Sequence, residues 1–202
     1  DLSKFLKDIG VYAIGNIGSK LITFLMVPLY TYFVHDTGDF GYYDVCLTVC
    51  MLLLPFVTLQ LRDGAFRFLL DCDVEDERNR IVTFVSRTML TTMTLSLLVA
   101  LLLALFTNIQ YLGYIVGLLI AMSLQEVYSQ VFRGLGNNRA FVMVGILAAL
   151  GIGLFSLIFV AGLGWDIKGI FMANIIARLL ALVLVEAKVR LITRHTHWHL
   201  DA

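Results

Sequence analysis

Six apolar stretches follow one another along the 202-residue chain, and each is long enough to cross a bilayer. About 20 apolar residues are needed to span the hydrocarbon core. The stretches lack the period-two alternation of barrel strands, and helices satisfy their own backbone polar groups inside lipid. The sequence therefore predicts an all-α integral membrane protein, a bundle of six transmembrane helices at about residues 9–34, 45–70, 81–106, 111–132, 141–163 and 169–191.

The composition supports a membrane protein and argues against several other classes. Hydrophobic residues make up 59% of the chain, whereas soluble domains contain about 45–50%. Lys plus Arg and Asp plus Glu are equal at 15 each, so the charge balance indicates no nucleic-acid partner. Cys46 and Cys50 lie one helical turn apart in an apolar stretch, and we interpret them as small apolar residues rather than as a disulfide or metal site. No cofactor is expected.

The connections between the predicted helices are short, at residues 35–44, 71–80, 107–110, 133–140 and 164–168. Short loops make neighbouring helices antiparallel and leave no room for an extramembrane catalytic domain, so an enzyme is not expected. Basic residues concentrate at both chain ends and in the second and fourth connections, while the other three connections contain only Lys168. By the positive-inside rule, both ends are predicted to be cytoplasmic.

The last ten residues, 193–202, are predicted to be a cytoplasmic linker that follows a transmembrane unit at residues 1–192. They contain His195, His197 and His199. His195 and His199 lie a helical turn apart, which makes a metal site conceivable. A solvated linker is the favoured interpretation, because no carboxylate or cysteine ligand follows.

Two cations lie near the predicted mid-depth of the membrane. Lys20 shares a helical face with Asn16 and Thr23, and Arg178 shares one with Asn174. A lysine or arginine at the centre of a spanning helix costs roughly 2.5–3.5 kcal/mol, so both residues are expected to avoid lipid. Intramembrane ionisable residues of this kind indicate a functional site.

Five further charged residues lie in the cytoplasmic halves of the predicted helices: Arg62, Asp63, Arg67, Arg87 and Glu126. Arg67 and Arg87, like Arg133, could be interfacial anchors. Arg62 and Asp63 could neutralise each other, and Glu126 could pair with a deep cation. Together with Lys20 and Arg178 the set carries a surplus of about three positive charges, which predicts a cavity for an anionic guest. Arginine forks suit the phosphate or pyrophosphate of a lipid.

Pro28 and Pro55 fall inside the first two predicted helices, where proline bends a helix. Glycines such as Gly151 and Gly153 would permit close helix contact. These features suit either a flexing bundle or static packing.

Several segments together resemble the polysaccharide (O-antigen-type) lipid-linked oligosaccharide flippases of the multidrug/oligosaccharidyl-lipid/polysaccharide exporter superfamily. The segments are GNIGSKLITFLMVPLYTYFV, LLLPFVTLQLRDGAFRFLLD, VFRGLGNNRAFVMVGIL and GIFMANIIARLLALVLV. The resemblance covers essentially the whole chain. It implies one lobe of a two-lobed exporter, in which six-helix lobes face each other across a central cavity. The chain is therefore expected to be the N-terminal lobe alone, with the second lobe missing.

The resemblance further implies that the protein flips a lipid-diphosphate-linked oligosaccharide by alternating access, in the bacterial cytoplasmic (inner) membrane. Expected partners are a polyprenyl-diphosphate-linked oligosaccharide, membrane lipid, the second lobe and other polysaccharide assembly proteins. The implied cavity cations are Lys20, Arg62 and Arg178, with Asn16, Thr23, Asn174 and Arg67 as polar lining and Glu126 and Asp63 as coupling or ion-pair acids.

Three alternatives remain open from the sequence. A multidrug or cation antiporter would need deep acids, of which Glu126 is the main candidate. A membrane-embedded glycosyltransferase or polymerase would need long outward loops, which are absent. A non-transporting scaffold subunit of polysaccharide assembly would not need the mid-membrane charges.

Overall fold

The computed structural model describes residues 24, 26–28, 30–33 and 37–196. Regular structure within these ranges is entirely helical, which confirms the predicted all-α class. Residues 24, 26–28 and 30–33 are helical. The later helices are α1 (Thr37–Thr58), α2 (Leu61–Leu70), α3 (Glu75–Phe106), α4 (Leu112–Gly134), α5 (Asn138–Ser156) with its π-helical continuation Leu157–Gly162, α6 (Asp166–Val189) and α7 (Leu191–His195).

Five helices in the described part of the chain are long and apolar enough to cross a membrane. They are Gly38–Thr58, Glu75–Phe106, Leu112–Gly134, Asn138–Gly162 and Asp166–Val189, and they correspond to the second to sixth predicted spans. Most of the first predicted span, residues 9–34, lies outside the described residues. The count of six, and the cytoplasmic location of both ends, stay predictions.

The predicted connection at residues 35–44 is wrong over most of its length, because α1 begins at Thr37. Its glycines and aspartates are typical of a turn, but tertiary packing overrides weak local propensity. Tyr43 is 5% exposed and packs edge-on against Phe171, with ring centroids 5.0 Å apart. The hydroxyl of Tyr42 donates to the carbonyl of Gln110 at 2.7 Å. These two contacts hold the segment in helical form against its neighbours.

The second predicted span, 45–70, is two helices rather than one. α1 ends at Thr58, Leu59 and Gln60 adopt left-handed backbone angles (φ 49° and 54°), and α2 begins at Leu61. Each such non-glycine residue costs of the order of 1–2 kcal/mol. Burial of Leu69, which is completely inaccessible to solvent, offsets part of this cost. The break lets α2 take a direction of its own.

The charged connection predicted at 71–80 is also shorter than expected, since α3 begins at Glu75. Glu75, Asp76 and Glu77 occupy its first turn. Carboxylates there are favoured by the positive end of the helix dipole. The charge run therefore starts a helix instead of forming a loop.

The central helix of the bundle is α4, which contacts every other described helix from α1 to α7. Close approach depends on small residues. A Cβ added at Gly134 would lie 2.8 Å from the Cβ of Leu69, and one added at Gly151 would lie 3.0 Å from the Cβ of Ala177. The first contact joins α4 to α2, and the second joins α5 to α6, so backbone proximity sets both interfaces.

The start of the predicted linker is folded onto the bundle. After Arg190, α7 turns back, and Nδ1 of His195 lies 2.6 Å from Oδ1 of Asn79 in α3. The carboxylate of Glu186 accepts hydrogen bonds from the backbone N–H groups of Ile192 and Thr193. Residues 197–202, including His197 and His199, lie outside the described part of the chain.

Candidate functional site

Two of the cations predicted inside the membrane, Arg62 and Arg178, reach neighbouring positions on α4. Arg62, from the first turn of α2, forms an ion pair with Glu126 of α4 through Nη1 and Oε1. Its Nε also donates to Oδ1 of Asp63 at 3.2 Å. The side chain of Arg62 is 42% exposed and that of Glu126 is 25% exposed. The pair is therefore half-buried, and Arg62 is shared between two carboxylates.

The helix break explains how Arg62 reaches α4. Because α2 restarts at Leu61, Arg62 lies in a first helical turn close to the break. The packing of Leu69 against Gly134 then draws α2 alongside α4. Because Leu69 lies against Gly134 and Arg62 lies beside Glu126, the two helices run in the same direction. The start of α2 is therefore beside the middle of α4.

Arg178 lies at the middle of α6, twelve residues after Asp166 and eleven before Val189. At 1.5 Å per residue it is roughly 17 Å from either helix end. Its Nη1 donates to Oε1 of Gln125 at 2.7 Å. Its Nε is buried and has no hydrogen-bond acceptor among the residues that the structure describes. Arg178 thus carries a positive charge deep in a span with a neutral partner.

Gln125 and Glu126 are consecutive on α4, so one short segment holds a cation from α6 and a cation from α2. Glu126 is close enough to attract Arg178 electrostatically, but no ion pair within 4 Å joins those two side chains among the described residues. Arg62, Asp63, Glu126 and Arg178 together carry two positive and two negative charges. This cluster is neutral as a whole. The predicted surplus also counted Lys20, Arg67 and Arg87, and it stays a prediction because Lys20 lies outside the described residues.

Asn174, predicted as polar lining on α6, lies near a second small set of buried polar groups, and its lining role stays a prediction. Asn174 lies one turn before Arg178, is buried, and donates from Nδ2 to the carbonyl of Ile170 at 3.2 Å. The hydroxyls of Tyr30 and Ser156 lie 2.7 Å apart and are buried. These groups place hydrogen-bonding capacity between the first described helical residues, α5 and α6.

The remaining predicted residues are separate from this cluster or outside the described ranges. Arg67 is exposed, and no described hydrogen bond or ion pair joins its side chain to the cluster. Arg87 is exposed on α3. Lys20, Asn16 and Thr23 lie among residues that the structure does not describe.

Arg133, which could be an interfacial anchor, lies in the last turn of α4. Its guanidinium carbon lies 4.6 Å from the ring centroid of Phe66 and 5.6 Å from that of Phe141. Such cation–π contacts are typical of arginine stacked on aromatic faces. The residue ties the end of α4 to α2 and α5.

Gln125 was missed by the sequence analysis, although it is the direct partner of Arg178. A signal was available: Gln125 and Glu126 are adjacent polar residues within an otherwise apolar span, SLQEVYSQVFRG. Glu126 is conspicuous in this span because it is charged. A neutral amide carries no such signal, and only the relative rotation of α4 and α6 shows that it meets Arg178.

Within the described ranges, no group of three or more His, Cys, Asp and Glu side chains is placed to hold a metal ion. The cluster consists of guanidinium groups, carboxylates and one amide. Such groups can bind and release anionic oxygens or exchange partners with one another.

A family model described as polysaccharide biosynthesis protein matches residues 5–197 of the chain. No curated protein and no solved structure matches the chain significantly. The match spans nearly the whole sequence and all five candidate spans. The chain is therefore a multi-pass membrane protein that belongs to the polysaccharide biosynthesis protein family.

Proposed function

We propose that the protein is a transporter that flips a lipid-diphosphate-linked oligosaccharide across the cytoplasmic membrane of a bacterium, for the synthesis of O-antigen, capsule or exopolysaccharide. The family supports a role in polysaccharide biosynthesis. The described helices are almost wholly membrane-spanning, which suits transport better than catalysis. In this proposal the chain is one lobe, both of its ends are cytoplasmic, and a second lobe completes the cavity.

The observation that carries the proposal is the state of Arg178. Within the described part of the chain, its one hydrogen-bond partner is the neutral amide of Gln125, and its buried Nε has no acceptor. An unsatisfied buried donor costs about 1–3 kcal/mol, and more when charged. A diphosphate oxygen would supply both the missing acceptor and the compensating negative charge. The guanidinium is thus suited to an anionic guest.

Arg62 has a different proposed role, because its charge is already balanced by Glu126 and Asp63. A diphosphate entering beside Arg178 would compete with these carboxylates for Arg62. Exchange of carboxylate for phosphate would loosen the link between α2 and α4, which provides a route from substrate binding to helix movement. Lys20, Asn16, Thr23 and Asn174 are proposed to line the same cavity, with Glu126 and Asp63 as coupling acids.

The test uses the intact protein in bacterial cells that depend on it for surface polysaccharide. Arg178→Gln removes the charge, and we expect roughly a tenfold to hundredfold loss of surface polysaccharide, with accumulation of the lipid-linked precursor. That range corresponds to a lost charged hydrogen bond of about 1.5–3 kcal/mol. Arg178→Lys keeps the positive charge but loses the planar, two-pronged guanidinium. Its surface polysaccharide level should therefore lie between those of the wild type and Arg178→Gln.

Arg139→Gln is the matched control, because Arg139 is exposed at the start of α5. Protein level and membrane insertion are measured for each variant by immunoblotting. Normal surface polysaccharide from an Arg178→Gln protein present at wild-type level would overturn the site. Dye efflux that depends on Glu126, without precursor accumulation, would instead indicate the antiporter alternative.

A further inference from the structure

A second site candidate lies away from the charged cluster, in a groove between α2 and α3. The cavity there has a volume of about 340 Å³, within the roughly 300–1,000 Å³ typical of small-molecule sites. Seven of its eight lining residues are apolar or glycine, and the eighth is Arg80. The lining residues are Leu61, Gly64, Ala65 and Phe68 of α2 and Arg80, Ile81, Phe84 and Val85 of α3.

The groove is open because Gly64 leaves its floor empty and the Phe68 and Phe84 rings on its two walls are exposed. A Cβ added at Gly64 would meet no atom within 4 Å. Phe68 and Phe84, one from each wall, are 66% and 64% exposed. In a membrane such exposed rings face acyl chains rather than water. The groove therefore offers an apolar channel, open to the lipid, of the kind that an acyl chain can occupy.

The positive charge of the α2–α3 groove lies at one end of it. Arg80 is the lining residue nearest the start of α3, and Arg67 immediately precedes Phe68 at the same end of α2. Both arginines are exposed, and neither side chain has a hydrogen-bond or ion-pair partner among the described residues. Asp76 lies one turn before Arg80 on α3 but forms no described ion pair with it. The end of the groove therefore has unpaired positive charge.

The depth of Arg80 matches that of a lipid headgroup. The 32 residues of α3 span about 48 Å at 1.5 Å per residue, which exceeds the hydrocarbon thickness of about 30 Å. The acidic first turn of α3 therefore lies in water or among headgroups. Arg80 follows Glu75 by five residues, so it is about 7.5 Å further in. This depth corresponds to the part of a phospholipid that links the phosphate to the acyl chains.

We propose that the α2–α3 groove binds one anionic phospholipid of the surrounding membrane, with an acyl chain between Phe68 and Phe84 and its phosphate at Arg80 and Arg67. The site is separate from the proposed substrate cavity and does not depend on the flippase proposal. It would fix α2, and with it the position of Arg62, to α3 and to the membrane surface.

Native mass spectrometry of the intact protein in detergent tests this, by titration with dioleoylphosphatidylglycerol or dioleoylphosphatidylcholine. One interfacial arginine contributes about 1 kcal/mol toward an anionic lipid. We therefore expect Arg80→Gln to weaken phosphatidylglycerol binding about fivefold and to leave phosphatidylcholine binding unchanged. Gly64→Leu, which fills the channel, should weaken the binding of both lipids.

Two matched controls accompany these variants. Arg139→Gln removes an exposed arginine elsewhere, and Gly41→Leu adds a side chain at another helical glycine with no atom within 4 Å. Neither should alter lipid binding. Equal effects of Arg80→Gln and Arg139→Gln would overturn the site, and so would equal binding of the two lipids by the wild type. Loss of a dimer rather than of lipid in Gly64→Leu would show instead that a second copy occupies the groove.

Discussion

At the scale of single residues, the two arginines of the charged cluster differ in the kind of partner that each has. Arg62 is shared between Glu126 and Asp63, whereas Arg178 donates to the neutral Gln125. The charge of an arginine paired with carboxylates is already neutralised, so a further anion must compete with those carboxylates. An arginine whose partner is a neutral amide keeps its full positive charge, which attracts anions strongly in the low-dielectric interior. The two residues can therefore belong to one site and still have opposite roles.

The substitution Gln125→Glu tests this distinction. A carboxylate about 2.7 Å from Nη1 of Arg178 would form a direct ion pair and would neutralise the charge proposed to bind substrate. We expect surface polysaccharide to fall by about tenfold or more, equivalent to about 1.4 kcal/mol of lost binding, while thermal stability in detergent is kept or raised.

Gln110→Glu is the control for this substitution, since it makes the same chemical change at an exposed position before α4. Full export by Gln125→Glu would show that the charge of Arg178 is not used. Loss of export together with a lowered unfolding temperature would point to a structural effect alone.

At the scale of elements, the helix interfaces depend on small residues at regular steps. On α6, Gly169, Ala173, Ala177 and Ala181 follow one another every four residues, and all are buried. A Cβ added at Gly169 would lie 3.1 Å from Cγ2 of Val160. Small residues at this spacing let helix backbones approach closely in a membrane. Arg178 lies on α6, and the close packing of α6 against α5 therefore fixes the position of its backbone.

Gly134→Ala tests the corresponding contact between α4 and α2. The added Cβ would lie 2.8 Å from the Cβ of Leu69, and overpacking of this kind costs about 1–3 kcal/mol. We expect a lower unfolding temperature in detergent, and partial recovery when Leu69→Ala is added to relieve the clash.

Gly113→Ala, in the same helix, is the control. Its added Cβ would meet nothing within 4 Å, so stability should stay equal or rise by up to about 1 kcal/mol from the improved helix propensity. Equal destabilisation by both variants would contradict the close contact between α2 and α4.

At the scale of the whole molecule, α7 joins the end of the last described span to the start of α3. Glu186 accepts from two backbone N–H groups of α7 and from the hydroxyl of Thr193. His195 contacts Asn79, and Arg194 pairs with Glu75 at 3.2 Å. These contacts fix residues 191–196 to the rest of the bundle.

Glu186→Ala tests this attachment. Loss of the three acceptor bonds should raise hydrogen–deuterium exchange in residues 191–196 by about tenfold or more, because each lost bond to a charged group is equivalent to about 1.5–3 kcal/mol. Asp76→Ala is the control at an exposed carboxylate of the same end of the bundle. Unchanged exchange in Glu186→Ala would show that α7 is held by its other contacts.

Much of the fold was predictable, because length and hydropathy are local properties. The second to sixth spans correspond to described helices, and the mid-helix position of Arg178 followed from simple counting along α6. The break at Leu59 and Gln60 was not predictable, because neither residue favours a left-handed backbone. The helical form of residues 37–44 also escaped prediction, since it depends on Tyr42 and Tyr43 meeting partners distant in sequence.

The sequence by itself determined that this chain is a bundle of membrane helices and that charged residues lie within it, because crossing lipid imposes length and polarity limits on every segment separately. Only the tertiary structure decided which charges meet. Rotation of α6 brings Arg178 to Gln125, and the separate direction of α2 brings Arg62 to Glu126. Pairing depends on how helices turn relative to one another, and no single helix carries that information.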